Sequence, residues 1–308
     1  MDGPKLNAST FSNLPPRWLG VALVAAGAVS FSLAIVFARA IQGLDALTIA
    51  FFRAVAAFIF FSLLALRYPA IVRFGAYRSS IKYLIGLGLA LGMTAILYVY
   101  AVRATTAANA VLLNNTSAIY VGLLAPWLLK EARPRFAWVS LMLAMVGMVL
   151  VVEPTRLHLA PESILGVVAA AISGLTLGFT MLFSRLLGGK VNGLIQGWWG
   201  TAIAALIALP GLLRITWTEV VPNLPGLILL GVVSLGLPYL LYFLGLQWVR
   251  AQVVSIVALL EPVSGVLIGL FIYREVPGVL GFVGIGLVLL SIFLVTRRRS
   301  SAKGVNSR

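Results

Sequence analysis

Residues 226–249 read GLILLGVVSLGLPYLLYFLGLQWV, twenty-four positions without a charged side chain. A bilayer core of about 30 Å is crossed by roughly twenty apolar residues in a helix, because each backbone N–H and C=O must find its partner inside the segment. Working outward, nine more stretches of the same kind follow: 18–39, 46–66, 82–102, 107–129, 136–152, 164–187 and 194–213 before it, then 251–273 and 277–296 after it. The sequence predicts an all-α membrane protein with ten transmembrane helices. Composition points the same way, since a 308-residue chain that is 61% hydrophobic and 10% charged lacks the polar residues to cover a water-exposed surface.

The net charge of +15 and pI near 10.9 raise the question of a nucleic-acid partner. The placement of the charges answers it. With both termini in the cytoplasm, 17 of the 23 Lys and Arg fall in inner tails and loops, Lys130, Arg133 and Arg135 among them. Outer ends and loops hold 5, namely Arg39, Arg103, Arg156, Arg214 and Arg274, while Arg53 lies within a span. This is the positive-inside pattern, which fixes the expected orientation, with the lipid bilayer as partner and no nucleic acid. The basic tail at 297–308 is expected to touch anionic headgroups. The stretch 1–17 is polar and Pro-containing and the first apolar run is full length, so that run is expected to be retained as a span. Cysteine is absent and the one histidine, His158, falls in an outer loop, so neither a metal centre nor a cofactor is expected.

The chain also repeats itself. Gly20-Val21 and Gly166-Val167 open two segments that end in Phe-x-Arg, at Phe37 to Arg39 and Phe183 to Arg185, an offset of 146. Tyr98 matches Tyr242, Ala107 matches Ala251, and Lys130-Glu131 matches Arg274-Glu275, all at an offset of 144. The expected organisation is a cytoplasmic tail at 1–17, a five-helix repeat at 18–152, an outer linker at 153–163, a second repeat at 164–296 and the tail at 297–308. Five is odd, so the second repeat enters the membrane upside down relative to the first. Inverted repeats of this kind build secondary transporters, with the substrate site near the midplane.

Two five-span halves, the Phe52-Arg53 step early in the second span, Glu261-Pro262 in the ninth, and a span-ending Lys/Arg-Glu in each half resemble the drug/metabolite transporter (DMT) superfamily, EamA type. Within it the chain looks most like the YddG-type amino-acid exporters, and that resemblance implies a bacterial inner (plasma) membrane location. The resemblance covers about residues 18–296 and implies export of small metabolites without ATP hydrolysis.

Polar side chains inside spans either find a partner or line a cavity, so they mark candidate site residues. In the fourth span Asn114, Ser117 and Tyr120 share one face by i, i+3 spacing, with interhelical hydrogen bonding as the plainer alternative. Glu261 is the one acidic residue deep in a span. It is a candidate to bind an amine or carry a coupling proton, or else to serve as a neutral structural group beside Pro262. Arg53 needs an acceptor, with Asp45 and nearby carbonyls as candidates, and a structural role is favoured for it. Tyr98, Tyr239 and Tyr242 offer apolar rings with polar tips to a shared cavity. Trp198 and Trp199 are set between that cavity and an interfacial belt.

A phosphate or nucleotide-sugar carrier needs convergent buried Lys and Arg, which are scarce here. An enzyme needs a nucleophile, a metal or an acid/base pair, and the candidates for these are missing. The favoured reading is a secondary exporter of small-molecule metabolites, amino acids foremost, including aromatic and apolar ones, by alternating access. A multidrug or amine exporter and a passive channel remain as alternatives. Two complete halves suffice for a monomeric pathway.

Overall fold

The computed structural model describes residues 17–66, 74–131, 136–152, 164–215, 217–274 and 276–296. The N-terminal tail, the linker with His158, Glu275 and the basic C-terminal tail lie outside these described residues. Seven helical stretches are long and apolar enough to cross a bilayer: 46–65, 77–104, 109–128, 164–187, 217–248, 251–273 and 279–296. Three shorter apolar helices, 18–32, 137–152 and 193–207, complete ten spans at the positions that hydropathy predicts. The spans are numbered 1 to 10 in chain order below.

Several span ends follow from local chemistry. Asp45 caps span 2 (Ala46–Ala65) by accepting from the N–H groups of Leu47 and Thr48, and Asn192 caps span 7 (Gly193–Ile207) through Leu194 N–H. Thr106 does the same for span 4 through Asn109 N–H. Such side chains satisfy donors that the first helical turn leaves open. Large apolar side chains such as Leu213, Phe271 and Val279 are largely exposed on the outside of the bundle, as lipid contact requires. Trp18, Trp127 and Trp217 are likewise exposed near span ends, where amphipathic rings sit at the headgroup level.

The helix pairing obeys a two-fold relation between the halves. Span 1 (Arg17–Ser32) packs along the last helix of span 8 (Leu237–Trp248), and span 6 (Ile164–Leu187) packs along span 3 (Ile81–Ala104). Span 2 lies against span 7, and span 5 (Ala137–Val152) against span 10 (Val279–Thr296). Single residues repeat the pattern. A Cβ on Gly20 would collide with Val249, and one on Gly166 would collide with the Ala104–Thr105 peptide. Those partners stand 144 apart, so the duplicated glycines make duplicated close approaches. Lys130 and Arg274, also 144 apart, are the two non-glycine residues with positive φ among the described residues, at 53° and 57°. The fold is therefore two inverted five-helix repeats.

Three spans expected to be continuous are broken. Span 1 is interrupted at Leu33 before a second piece, Ala34–Ala40. There Ser32 Oγ donates to Val29 O and Ser30 Oγ to Val233 O, diverting side-chain hydroxyls onto backbone carbonyls. Span 4 runs Ala107–Asn114 and Ser117–Leu128, with Asn115 Nδ2 donating to Val111 O and Thr116 Oγ1 to Leu113 O at the break. Span 9 runs Ala251–Val257 and Leu260–Tyr273. Pro262 has no N–H for the carbonyl of Ala258, four residues back, and Glu261 N–H takes that carbonyl at 2.9 Å instead. The breaks in spans 4 and 9 occupy corresponding places in the two repeats.

Candidate functional site

The broken helices surround a cavity of about 620 Å3 between the two halves. Its wall draws on both repeats. Its lining reaches the partly exposed Ala34, Thr106, Val152 and Pro277, which belong to the span ends remote from the two chain termini. At the opposite end the bundle is packed shut, with Leu187, Phe243, Leu246 and Val249 all 0 to 1% exposed.

The closed end is also tied by charge. Arg185 of span 6 donates from Nε to Glu131 Oε1 at 2.6 Å, and from Nη1 to the carbonyls of Leu246 at 2.7 Å and Gln247 at 3.0 Å. Glu131 Oε2 accepts from Ala251 N–H, so this carboxylate, which follows span 4, also caps span 9. The left-handed turn at Lys130 follows the end of span 4 and directly precedes that carboxylate. One cluster thus joins spans 4, 6, 8 and 9 across the repeat boundary. The corresponding pair in the second half includes Glu275, which lies outside the described residues.

Seven of the ten residues singled out in the sequence line the cavity: Arg53, Tyr98, Asn114, Ser117, Tyr239, Tyr242 and Glu261. Three are placed elsewhere. Tyr120 sits one turn beyond the break in span 4, with its Cβ against Gly178 of span 6. Trp198 donates from Nε1 to Ser62 Oγ of span 2, and Trp199 Nε1 lies 3.5 Å from Tyr77 Oη in the turn Phe74–Ser80 that leads into span 3, both toward the closed end. Asn114 serves both roles foreseen for its span, since Oδ1 accepts from Ser173 Oγ at 2.9 Å while the residue also faces the cavity.

Arg53 finds its acceptor away from Asp45, which is engaged in capping span 2. Its Nη2 donates to Ser234 O at 2.5 Å. The acceptor exists because Pro238, four residues on, has no N–H to give it. Around it the helix widens into a π turn at Val232–Gly236, with Leu237 N–H reaching back to Val232 O. That leaves Val233 O for Ser30 Oγ. Gly231 makes this approach possible, because a Cβ there would lie 2.7 Å from Arg53 O. A proline and a π turn in span 8 therefore fix a guanidinium projecting from span 2 at the cavity wall. Arg53 is 7% exposed, its Nε has no hydrogen-bond partner, and no ion pair joins it to Glu261.

The aromatic part of the wall is similarly ordered. Phe31, at the break in span 1, meets the edges of Tyr239 and Tyr242 with ring centroids 5.1 and 5.3 Å apart. Gly27 leaves space for the Tyr242 ring, whose Oη is buried without a partner. Phe31, Thr94 and Met181 line the cavity without having been singled out, and so does Asn115, which belongs to the polar run read in the fourth span. Apolar Phe31 and Met181 carry no signal in a hydrophobic helix. Thr94 and Asn115 were visible as intramembrane polar residues. The two halves contribute unequally: Ser117 and Glu261 are repeat counterparts on the wall, so the carboxylate is present on one side alone.

A ten-span bundle of inverted halves, with broken helices around a midplane cavity open at one end, defines a membrane carrier. The family model for the EamA-like transporter family matches twice, at residues 18–153 and 164–297. The chain belongs to this family, within the drug/metabolite transporter superfamily, and is a multi-pass membrane transporter. An uncharacterized transporter of Archaeoglobus fulgidus is 26% identical over 282 residues, covering 90% of this chain and 96% of that one. A solved crystal structure of a protein, 16% identical, superposes with a TM-score of 0.76 over 90% of this chain and 96% of its own and shares the fold.

Proposed function

We propose that this chain is a secondary-active exporter of small amphipathic metabolites, amino acids foremost, in the manner of YddG-type exporters. The positive-inside pattern supports cytoplasmic termini, and with that orientation the described state is outward-open. One observation carries the reading: a cavity walled by both inverted halves, open at one end and tied shut at the other by Arg185 and Glu131. A carrier must close one end before opening the other, and a closure made between the halves can be released by rocking them.

The volume of about 620 Å3 suits a metabolite of amino-acid size, within the roughly 300–1,000 Å3 of small-molecule sites. Hydroxyls and two amides make up most of its polar groups beside aromatic rings, with Arg53 as the one cation among the described lining residues, which favours a substrate with an apolar side chain over a phosphorylated sugar. An amine or multidrug exporter would draw on Glu261. Arg53 on the same wall disfavours a purely cationic substrate.

Counterflow in proteoliposomes with labelled amino acids, amines and phosphorylated sugars, with and without a pH gradient, tests this. Saturable exchange of amino acids is expected. Flux that never saturates would identify a passive facilitator, and exchange of phosphorylated sugars would remove the amino-acid reading.

A further inference from the structure

We infer that the cavity recognises its substrate as a zwitterion, with Arg53 receiving the anionic group and Glu261 the cationic one. The inference rests on the transport reading above and narrows it to molecules bearing both charges. Arg53 and Glu261 face one cavity from spans 2 and 9, on different repeats, and no ion pair joins them. Opposite charges placed in a low-dielectric bundle for stability alone gain most by direct contact, because each pays a large desolvation cost when unpaired. These two stand on the wall of one cavity without being paired. A ligand with charges of both signs neutralises both at once.

The state of each group supports its part. A guanidinium has five N–H donors in a rigid fork suited to a carboxylate. On Arg53 one donor from Nη2 is committed to Ser234 O, which anchors the group, while the adjacent Nε–H is unpartnered on a side chain that is 7% exposed. Tyr242, a residue 2% exposed on the same wall, has a buried and likewise unpartnered Oη. Glu261 stands directly after the break in span 9, where its backbone N–H is occupied by Ala258 O and its side chain faces the cavity. Phe31 and Tyr239 pack edge-on beside these groups and give an apolar substituent a surface.

Three solutes with one shared side chain separate the requirements: phenylalanine, phenethylamine, which lacks the carboxylate, and 3-phenylpropanoate, which lacks the amine. Leucine, isopentylamine and 4-methylpentanoate repeat the comparison. Each is assayed as a competitor of labelled amino-acid counterflow by the full-length protein in proteoliposomes at neutral pH. The zwitterion is expected to compete at a concentration at least about tenfold lower than either analogue, the scale of one charged contact.

Glu261→Gln is expected to erase the preference for phenylalanine over 3-phenylpropanoate while keeping its preference over phenethylamine. Arg53→Gln is expected to do the reverse. Opposite shifts in two ratios are not what general damage produces, and Arg53→Lys, which retains the cation, should keep part of the preference if Arg53→Gln fails to fold. Equal competition by all three members of a series, or ratios unchanged in the variants that fold, overturns the zwitterion inference while transport stands. Absence of counterflow for every solute of the wider panel overturns the transport reading itself.

Discussion

Glu131→Ala tests the tie at the closed end of the cavity. The lost contacts are the cap on Ala251 N–H and, chiefly, the 2.6 Å ion pair with Arg185, whose two side chains are 23% and 12% exposed. An exposed pair contributes about 0.2–1 kcal/mol, and removing one partner of a fully buried pair costs about 3–5 kcal/mol. Intermediate burial places this pair between the two, and Arg185 keeps the carbonyls of Leu246 and Gln247. A loss of roughly 2 kcal/mol follows. It falls on the closed arrangement alone, so the ratio of inward-open to inward-closed molecules rises about 30-fold at ~1.4 kcal/mol per factor of ten.

The chain has no cysteine, so single reporters can be introduced without background. Leu246→Cys and Val254→Cys replace side chains that are 1% and 0% exposed near the tie. Their modification by a thiol reagent applied from the side of the termini should accelerate about 30-fold in the Glu131→Ala background, in step with the open population. Glu131→Gln, with an acceptor oxygen but no charge, should fall between. Modification rates that stay within about threefold of the parent in both reporters would refute the idea that this cluster holds the end closed.

Glu261→Gln should make transport insensitive to pH if the carboxylate carries a coupling proton. Arg53, Tyr98, Tyr239 and Tyr242 remain in the cavity, and the pH profile of flux at saturating substrate, in vesicles of varied internal and external pH, reads coupling apart from the amine contact that the substitution also removes. Gly284→Ala should lower thermal stability in detergent, because its Cβ would lie 2.6 Å from both Gly147 O and Val151 N at the contact of spans 5 and 10; overpacking of this kind costs about 1–3 kcal/mol. Lys130→Gly relieves a side chain from the left-handed region and should leave stability equal or higher by up to about 1 kcal/mol, whereas Lys130→Val should reduce it. Melting curves of the purified variants decide both.

Hydropathy along the chain located ten spans because lipid solvation acts on each residue in turn and demands a long apolar run wherever a helix crosses. The 144–146 offset gave the inverted relation, since the motif pairs Gly20/Gly166 and Lys130/Arg274 survive in the sequence and reappear as matching contacts and turns. Intramembrane polarity then marked Arg53, Asn114, Ser117 and Glu261, because such groups are too costly to place at random. The tyrosines were legible for the same reason. Trp198 and Trp199 could not be assigned from sequence, as an indole at the start of a span suits a headgroup belt, a helix contact or a cavity equally well.

Which polar groups meet is a property of helix pairing, and pairing leaves little trace in a chain whose spans are uniformly apolar. The tertiary structure alone decided that Arg53 reaches Ser234 O rather than Asp45, because the acceptor is created by Pro238 and a π turn on a distant span. It alone decided that Glu131 crosses to Arg185 and Ala251, since the left-handed turn at Lys130 has value only against a packed neighbour. The sequence by itself determined what must lie in lipid and that the halves are inverted. Packing determined where that inversion opens a cavity and which charges face it.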